Sequence, residues 1–465
     1  MTAGIGPVPA EGPSPGTLAP LVPFDIGHPT HVALIEPDSA FWGLVRKDRL
    51  ADAQAGGQLL DAFHAKAGTF AGEMDMLRFR VRPSAVYFNP TERCNLNCSY
   101  CYIPGGMRRG GVQMDTAAVL AALDRLHRYF RAHMPAERLP QVIFHGAEPL
   151  LAREAIFAGI EAYGDRFRFG VQTNATLLDE AAAAFLTARG VGIGLSLDGP
   201  TAAVADRTRR RWSGDGVFDR VVRAIERLDG YPGFNVICTM TSRNLPHLTA
   251  MVEFFHGRRV PACMLNITRC TLPGARAVRG GDDEVWRAYL AALERTHELY
   301  RESGRKLVVA NFANILIAIL APTARRLMCD ISPCGGGRGF FALAPNGDLF
   351  PCSEFIGLPA FAGGNLFRQP VEEILDSPPF RLVTGRKVED VAGCDICPVR
   401  HFCGSPCPAE AHEMNGGMGR KGAFCRFYEE QARYAFRLIA DGRHEDFLWD
   451  GWDEGTEAIC SIGTA

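Results

Sequence analysis

The chain has 465 residues, of which 47% are hydrophobic and 22% charged, and a formal net charge of −2. That length exceeds one ordinary domain and suits two or three with sizeable cores, and the near-balanced charge excludes an electrostatic case for binding nucleic acid. No apolar run reaches the roughly eighteen residues of a membrane span, and the start lacks the basic and apolar stretches of a signal peptide, so no membrane partner and a cytoplasmic location are expected.

Residues 1–23 are rich in Gly, Pro and Ala and read as a flexible tail. Residues 24–82 form an N-terminal extension with an apolar run at 32–35 and a helix-like stretch at 51–65. From 83 to 310 strand-like and helix-like segments alternate. The strands are expected at 85–88, 142–144, 167–173, 192–197, 235–240 and 264–267. Helices are expected at 116–130 with Asp115 as its cap, then at 153–163, 179–188, 218–228, 245–255 and 282–301. This rhythm places the fold in the α/β class, with parallel strands and helical crossovers. Periodicity does not choose between an open sheet and a barrel. Either one puts functional groups at the C-terminal ends of the strands.

Residues 325–430 differ. They are loop-rich, and Asn346-Gly347 is a hairpin signal between 340–344 and 349–350. So few periodic apolar residues leave a fold that metal centres would have to stabilise. A helix at 426–440 and an acidic, Trp-containing tail end the chain, residues 431–465 forming the last segment.

Eleven of the fifteen cysteines fall into two groups, at 94–101 and 329–425. Clustered cysteines in a reducing compartment indicate metal or redox chemistry. Cys238, Cys263, Cys270 and Cys460 are scattered and read as small buried hydrophobes, with Cys270 also a candidate substrate-facing thiol.

The first group reads Cys94-Asn-Leu-Asn-Cys98-Ser-Tyr100-Cys101. Three thiolates so spaced can hold three irons of a cubane cluster and leave the fourth iron open for chemistry. One face of a buried helix would show the same spacing, but Asn95, Asn97 and Ser99 are poor helix formers and Pro104-Gly105-Gly106 follow. Zinc is the other rival, and no fourth Cys or His lies close by in sequence.

With Tyr100 before the last cysteine, this loop resembles the signature of the radical S-adenosylmethionine (SAM) enzymes. Further segments extend the resemblance. His145-Gly146-Ala147-Glu148-Pro149 is similar to the family's Gly-Gly-Glu-Pro motif, 172–177 to its Thr-Asn-Gly-Thr segment, and 196–200 to its Ser-Leu-Asp-Gly-Pro segment. Ala147 and Ala175 stand where glycine is usual. The resemblance implies a partial (β/α) barrel and a [4Fe–4S] cluster on Cys94, Cys98 and Cys101. It also implies SAM contacts from Tyr100, Gly146, Ala147, Glu148, Asn174, Ser196 and Arg209. Glu148 and nearby backbone would hold the methionine amino group, and Arg209 its carboxylate, although Arg207, Arg210 and Arg211 are neighbours. Asp198 would organise the pocket. The implied chemistry is one-electron cleavage of SAM to a 5′-deoxyadenosyl radical that takes a hydrogen atom from the substrate.

The second group comprises Cys329, Cys334 and Cys352, then Cys394, Cys397, Cys403, Cys407 and Cys425. Eight cysteines fill two four-ligand sites, and zinc is the plain reading of any four. The pattern looks like the SPASM domain, an iron–sulfur appendage of some radical SAM enzymes. By that resemblance Cys329, Cys334, Cys352 and Cys407 would hold one auxiliary [4Fe–4S] cluster, and Cys394, Cys397, Cys403 and Cys425 a second, making three with the SAM-binding one.

Enzymes of this kind mostly modify peptides and proteins, so the resemblance implies a maturase acting on a ribosomally made peptide. A reductant such as flavodoxin or ferredoxin would serve it, and the 24–82 extension would help hold the peptide or simply pack on the barrel. The chain is also similar to the peptide-modifying enzymes called CbpB. A sulfatase-activating, formylglycine-generating maturase is the alternative enzyme, for which no catalytic base can be named. A non-catalytic iron–sulfur electron carrier is the alternative outside catalysis, and SAM-contact motifs would be superfluous in it.

Overall fold

The structure, a computed structural model, describes residues 21–404 and 407–453. Most of the expected tail lies outside them, but Leu21 is buried and Val22–Phe24 form strand β1, so ordered chain begins earlier than expected. β1 pairs antiparallel with β2 (His31–Ile35), and β2 with β3 (Trp42–Arg46). β2 is apolar on both faces. Leu34 packs with Phe41 and Phe63 beneath the helix Gln58–Asp75, and Ala33 and Ile35 join the main core. The single helix expected at 51–65 is two, Leu50–Ala55 and Gln58–Asp75. They part at Gly56-Gly57, where Gly57 takes a φ of 98°, a conformation no helix tolerates.

The main sheet has ten strands. β4 (Ala85–Phe88), β5 (Gln141–Phe144), β6 (Arg168–Thr173), β7 (Gly192–Ser196), β8 (Phe234–Met240) and β9 (Ala262–Ile267) are all parallel and lie side by side in sequence order. An order without reversal sends every right-handed crossover to the same face, so the sheet curls around a lumen instead of opening as a doubly wound sheet. The curl does not close. β10 (Val308–Val309) ends one edge. At the other edge β11 (Phe340–Leu343) runs parallel to β4, followed antiparallel by β12 (Asp348–Phe350) and β13 (Gly364–Asn365). The cysteine-rich region therefore begins as a continuation of the barrel sheet, which gives it a core before any metal binds.

The crossover helices start where short acids cap them. Asp115 accepts from the Ala118 N–H at 2.8 Å and Asp179 from the Ala182 N–H at 2.8 Å. The helix Ala310–Leu320 was not anticipated. It is apolar almost all round and buried along most of its length, so it carries no amphipathic period. Its Asn311 side chain bonds both the N–H and the C=O of Leu265, extending the β9 edge as a strand would.

Polar contacts fix the extension to the cysteine-rich region. Arg78 donates to Ser332 O at 2.6 Å and pairs with Glu389 at 2.7 Å, and Arg400 pairs with Asp38. Asp38, Glu389 and buried His401 draw together there, but the two guanidiniums already supply their countercharge. Among the described residues no helix is long and apolar enough to cross a membrane.

Candidate functional site

The first cysteine loop follows β4 at the C-terminal mouth of the barrel, and backbone bonds fasten it. Cys94 N–H donates to Arg108 O, Asn97 N–H to Arg210 O and Ser99 N–H to Thr208 O, at 2.9, 2.7 and 3.0 Å. Leu96 is fully buried beneath the loop. Buried Arg108 donates to Ile103 O and Leu96 O, and Trp212 Nε1 donates to Cys94 O at 2.8 Å while both Arg108 and Arg109 lie over its ring. No motif marked this clamp of Arg108 and Trp212 in the sequence.

Around the loop lies a cavity of about 400 Å³ lined by Cys94, Cys98, Tyr100 and Cys101. Gly146, Ala147, Asn174, Ser196 and Arg209 line it too. Gly146 has a φ of 110°, and a Cβ there would lie 2.5 Å from Asn89, so only glycine fits. Ala147 is not in the left-handed region, so its methyl leaves the backbone conformation undisturbed, whereas Ala175 is held at a φ of 65°. Of the four neighbouring arginines, Arg209 alone reaches the cavity. Its Nη1 donates to the Tyr100 hydroxyl, which donates to Asp198, and its Nη1 lies 3.6 Å from the Asp198 carboxylate. Asp198 is buried, and its other oxygen accepts from Thr239 N–H at 2.9 Å. Arg209 Nε is buried and unpartnered.

Glu148 lies within electrostatic reach of the cavity residues Cys94 and Arg209. It is fully buried and does not line the cavity. One oxygen accepts from Leu150 N–H at 3.1 Å and Thr173 Oγ1 at 2.7 Å, the other from Asn174 N–H at 2.8 Å. The carboxylate ties the end of β5 to the end of β6, and the Gly146–Ala147 backbone is what the cavity sees. Asn174 donates from Nδ2 to Asn95 at 2.8 Å and lies 3.8 Å from Cys94 Sγ, so it braces the cysteine loop.

Cys329, Cys334, Cys352 and Cys407 line this same cavity. Cys394, Cys397 and Cys425 gather separately, close enough that Cys394 raises the pKa of both others. Arg386 lies within Coulombic reach of Cys334, Cys394, Cys403 and Cys407, between the two groups. None of the fourteen described cysteines is paired in a disulfide. Backbone N–H groups point at sulfur: Leu96 at Cys94 (3.4 Å), Gly336 at Cys334 (3.4 Å) and Glu410 at Cys407 (3.5 Å). Burial pushes the Cys94 thiol up to about 12 and Cys98 up to about 11, so these sulfurs become thiolates only beside a strong cation. Thiols without disulfide partners, met by N–H donors, fit iron–sulfur clusters, and the orphaned Arg209 Nε fits a carboxylate such as that of SAM.

The cavity also holds groups to which no motif gave a role. Tyr102 Oη, His145 Nδ1 and Glu354 Oε2 are buried without hydrogen-bond partners, and Arg269 donates to Tyr428 at 3.2 Å. Burial pushes His145 down to about 4. Cys238, Cys263 and Cys270 are fully buried. Cys270 does not line the cavity; its N–H donates to Glu410 at 2.8 Å, which corrects the expectation of a substrate-facing thiol. Cys460 lies outside the described residues.

Comparison with known proteins agrees with this arrangement. The family model "Radical SAM superfamily" matches residues 88–255, and "SPASM, iron-sulfur cluster-binding domain" matches 334–398. An uncharacterized protein of Archaeoglobus fulgidus is 39% identical over 88% of this chain and 92% of its own. The AdoMet-dependent heme synthase of Methanosarcina barkeri is 29% identical over 75% of this chain and 98% of its own. A cysteine-type anaerobic sulfatase-maturating enzyme of Clostridium perfringens is 24% identical over 74% and 94%. Among solved structures, native anSMEcpe with bound AdoMet and Cp18Cys peptide superimposes with a TM-score of 0.65 at 20% identity, over 78% of this chain and 99% of that one. Streptococcus suis SuiB bound to precursor peptide SuiA gives 0.57 at 12% identity, over 85% and 96%. The three-cysteine mouth of an unclosed parallel barrel, the cysteine-rich continuation of its sheet and matches to both family models converge: the chain belongs to the radical SAM enzymes that carry a SPASM iron–sulfur domain.

Proposed function

We propose that this enzyme cleaves SAM reductively and abstracts a hydrogen atom from a peptide, as a maturase of a ribosomally made peptide. The observation that carries it is a single cavity lined both by Cys94, Cys98 and Cys101 and by Cys329, Cys334, Cys352 and Cys407. A substrate there lies beside both candidate cluster sites. When bound, the clusters and SAM supply one-electron chemistry at the sulfonium and hydrogen abstraction.

The residues of this chain bind and orient. Cys94, Cys98 and Cys101 hold the SAM-binding cluster; Cys329, Cys334, Cys352 and Cys407 hold one auxiliary cluster, and Cys394, Cys397, Cys403 and Cys425 another. Arg209 takes the SAM carboxylate, with Tyr100 and Asp198 fixing its guanidinium. Backbone carbonyls at Gly146 and Ala147 take the amino group, and Glu148 positions them. Asn174 and Ser196 complete the wall. The N-terminal sheet belongs to the same reading: β3 is one of its two outer strands, and such an edge accepts an extended peptide. A flavodoxin or ferredoxin serves as reductant.

Sulfatase maturation is the second reading, favoured by the relative of that name and by the fold shared with anSMEcpe. The test is deuterium transfer. Anaerobic, reconstituted protein is supplied with SAM, dithionite and perdeuterated candidate peptides, with the short open reading frames beside its gene as the first source. Deuterium in 5′-deoxyadenosine supports the peptide reading, and formylglycine in a sulfatase peptide selects the second. Deuterium from a tetrapyrrole but from no peptide would overturn both.

A further inference from the structure

At the end of the barrel opposite the cysteine loop, where β8, β9 and β10 begin, lies a second cavity of about 510 Å³. Its wall carries four cationic side chains, Arg259, Arg305, Lys306 and Arg326, against one carboxylate, Asp450. Asp229 pairs with Arg259 and Asp450 with Lys306. The other two cations remain short of partners. The Arg326 guanidinium lies 4.4 Å from the Trp449 ring centroid and has no side-chain hydrogen bond or ion pair among the described residues. Arg305 donates one Nη to His256 O, and its Nη1 is buried and unpartnered. Burial disfavours both charges, so both gain from an anion.

This cavity adjoins the catalytic one. Met264 and Leu327 line both. Met264 belongs to β9, and the five steps from Ala262 to Ile267 span about 16 Å at roughly 3.3 Å per residue. An extended peptide covers that distance with about five residues.

We propose that the basic cavity is a second substrate subsite, which takes an acidic flank of a peptide whose reacting residue occupies the catalytic cavity. The inference rests on the peptide reading above and adds a sequence requirement to it: Asp or Glu about five positions from the modified residue. Arg326, stacked on Trp449 and free to bond in its plane, takes a carboxylate, and Arg305 takes a second from the cavity wall.

The test is calorimetry of the anaerobic, cluster-loaded protein with capped tetraglutamate, capped tetralysine and citrate. Tetraglutamate should bind and tetralysine should not. Arg326→Gln and Arg305→Gln should each weaken tetraglutamate about tenfold, while Arg326→Lys, which keeps the charge but not the stacked planar fork, should fall between the parent and Arg326→Gln. 5′-Deoxyadenosine formation in the same preparations reports the SAM site, so its damage is not mistaken for loss of peptide binding. No binding of tetraglutamate, or equal binding by the parent and both glutamine variants, overturns the proposal. Citrate that binds as tightly and displaces the peptide also overturns it, in favour of a small-anion site. If tetraglutamate binding depends on Arg326 while no peptide donates deuterium, the acidic-peptide site stands and the reaction assigned to the catalytic cavity falls.

Discussion

Glu148→Gln keeps the side chain's shape and removes its charge. In the structure the carboxylate accepts from Leu150 N–H, Thr173 Oγ1 and Asn174 N–H. A glutamine amide has one acceptor oxygen. If that oxygen keeps Leu150 and Thr173, the amide NH2 faces the Asn174 N–H, donor against donor, at a fully buried position. Leaving that N–H unsatisfied costs about 1–3 kcal/mol, and the two surviving bonds lose their charge assistance, about 1 kcal/mol each. The sum is about 3–5 kcal/mol. With about 2.1 cal/mol/K per residue of unfolding entropy, a chain of this length has about 1 kcal/mol/K, so the thermal midpoint should fall by about 3–5 °C. The assay is anaerobic differential scanning fluorimetry beside SAM titration by calorimetry. SAM affinity in the folded variant should fall less than tenfold, because the carboxylate's hydrogen bonds all run to protein donors. A midpoint within 1 °C of the parent, with SAM affinity lost by far more than tenfold, would refute the positioning role and make Glu148 a direct SAM ligand.

Asp198→Asn leaves Arg209 buried without its carboxylate and should weaken SAM binding about tenfold by calorimetry while iron content stays unchanged; loss of iron would contradict this. Because burial holds the His145 imidazole at about 4, the folded protein prefers the neutral ring, and this stability is full above the unfolded-state pKa of about 6.5 and lost as pH falls towards about 4. His145→Phe should therefore flatten the fall in thermal midpoint between pH 7 and 5 by about 2 °C, and an equal or steeper slope would rule this out. Arg78→Met removes the bond to Ser332 O and leaves Glu389 without that guanidinium. A loss of about 2–4 kcal/mol, or about 2–4 °C, should follow by fluorimetry, and an unchanged midpoint would show that this contact does not hold the extension.

Much of the barrel was legible in the sequence because its strands are short buried runs and its helices begin at capping acids. β4 lies at 85–88 as expected, and Asp115 and Asp179 cap as expected. The helix Ala310–Leu320 was hidden by its uniform apolarity, and Gly56-Gly57 divided a helix whose composition reads as continuous. The pairing of β11 with β4 joins residues some 250 positions apart, a tertiary fact that local pattern does not carry. In the site, cysteine spacing named every cysteine that lines the cavity. Glu148 shows the limit of a motif: it identified the residue, but its three protein donors, Leu150, Thr173 and Asn174, meet it only in the fold. Arg108, Trp212 and Arg269 carry no spacing signal, since each acts through contacts that exist only in the fold.

The central claim is that the cysteine groups hold iron–sulfur clusters and that the first one serves SAM. Iron and acid-labile sulfide per chain, after anaerobic reconstitution of the parent and of a Cys94→Ala/Cys98→Ala/Cys101→Ala variant, test it most directly. The account predicts about twelve irons with equal sulfide in the parent, about eight in the variant, and no 5′-deoxyadenosine from the variant. Zinc without sulfide in the parent, or a variant that makes 5′-deoxyadenosine at the parent rate, would contradict it.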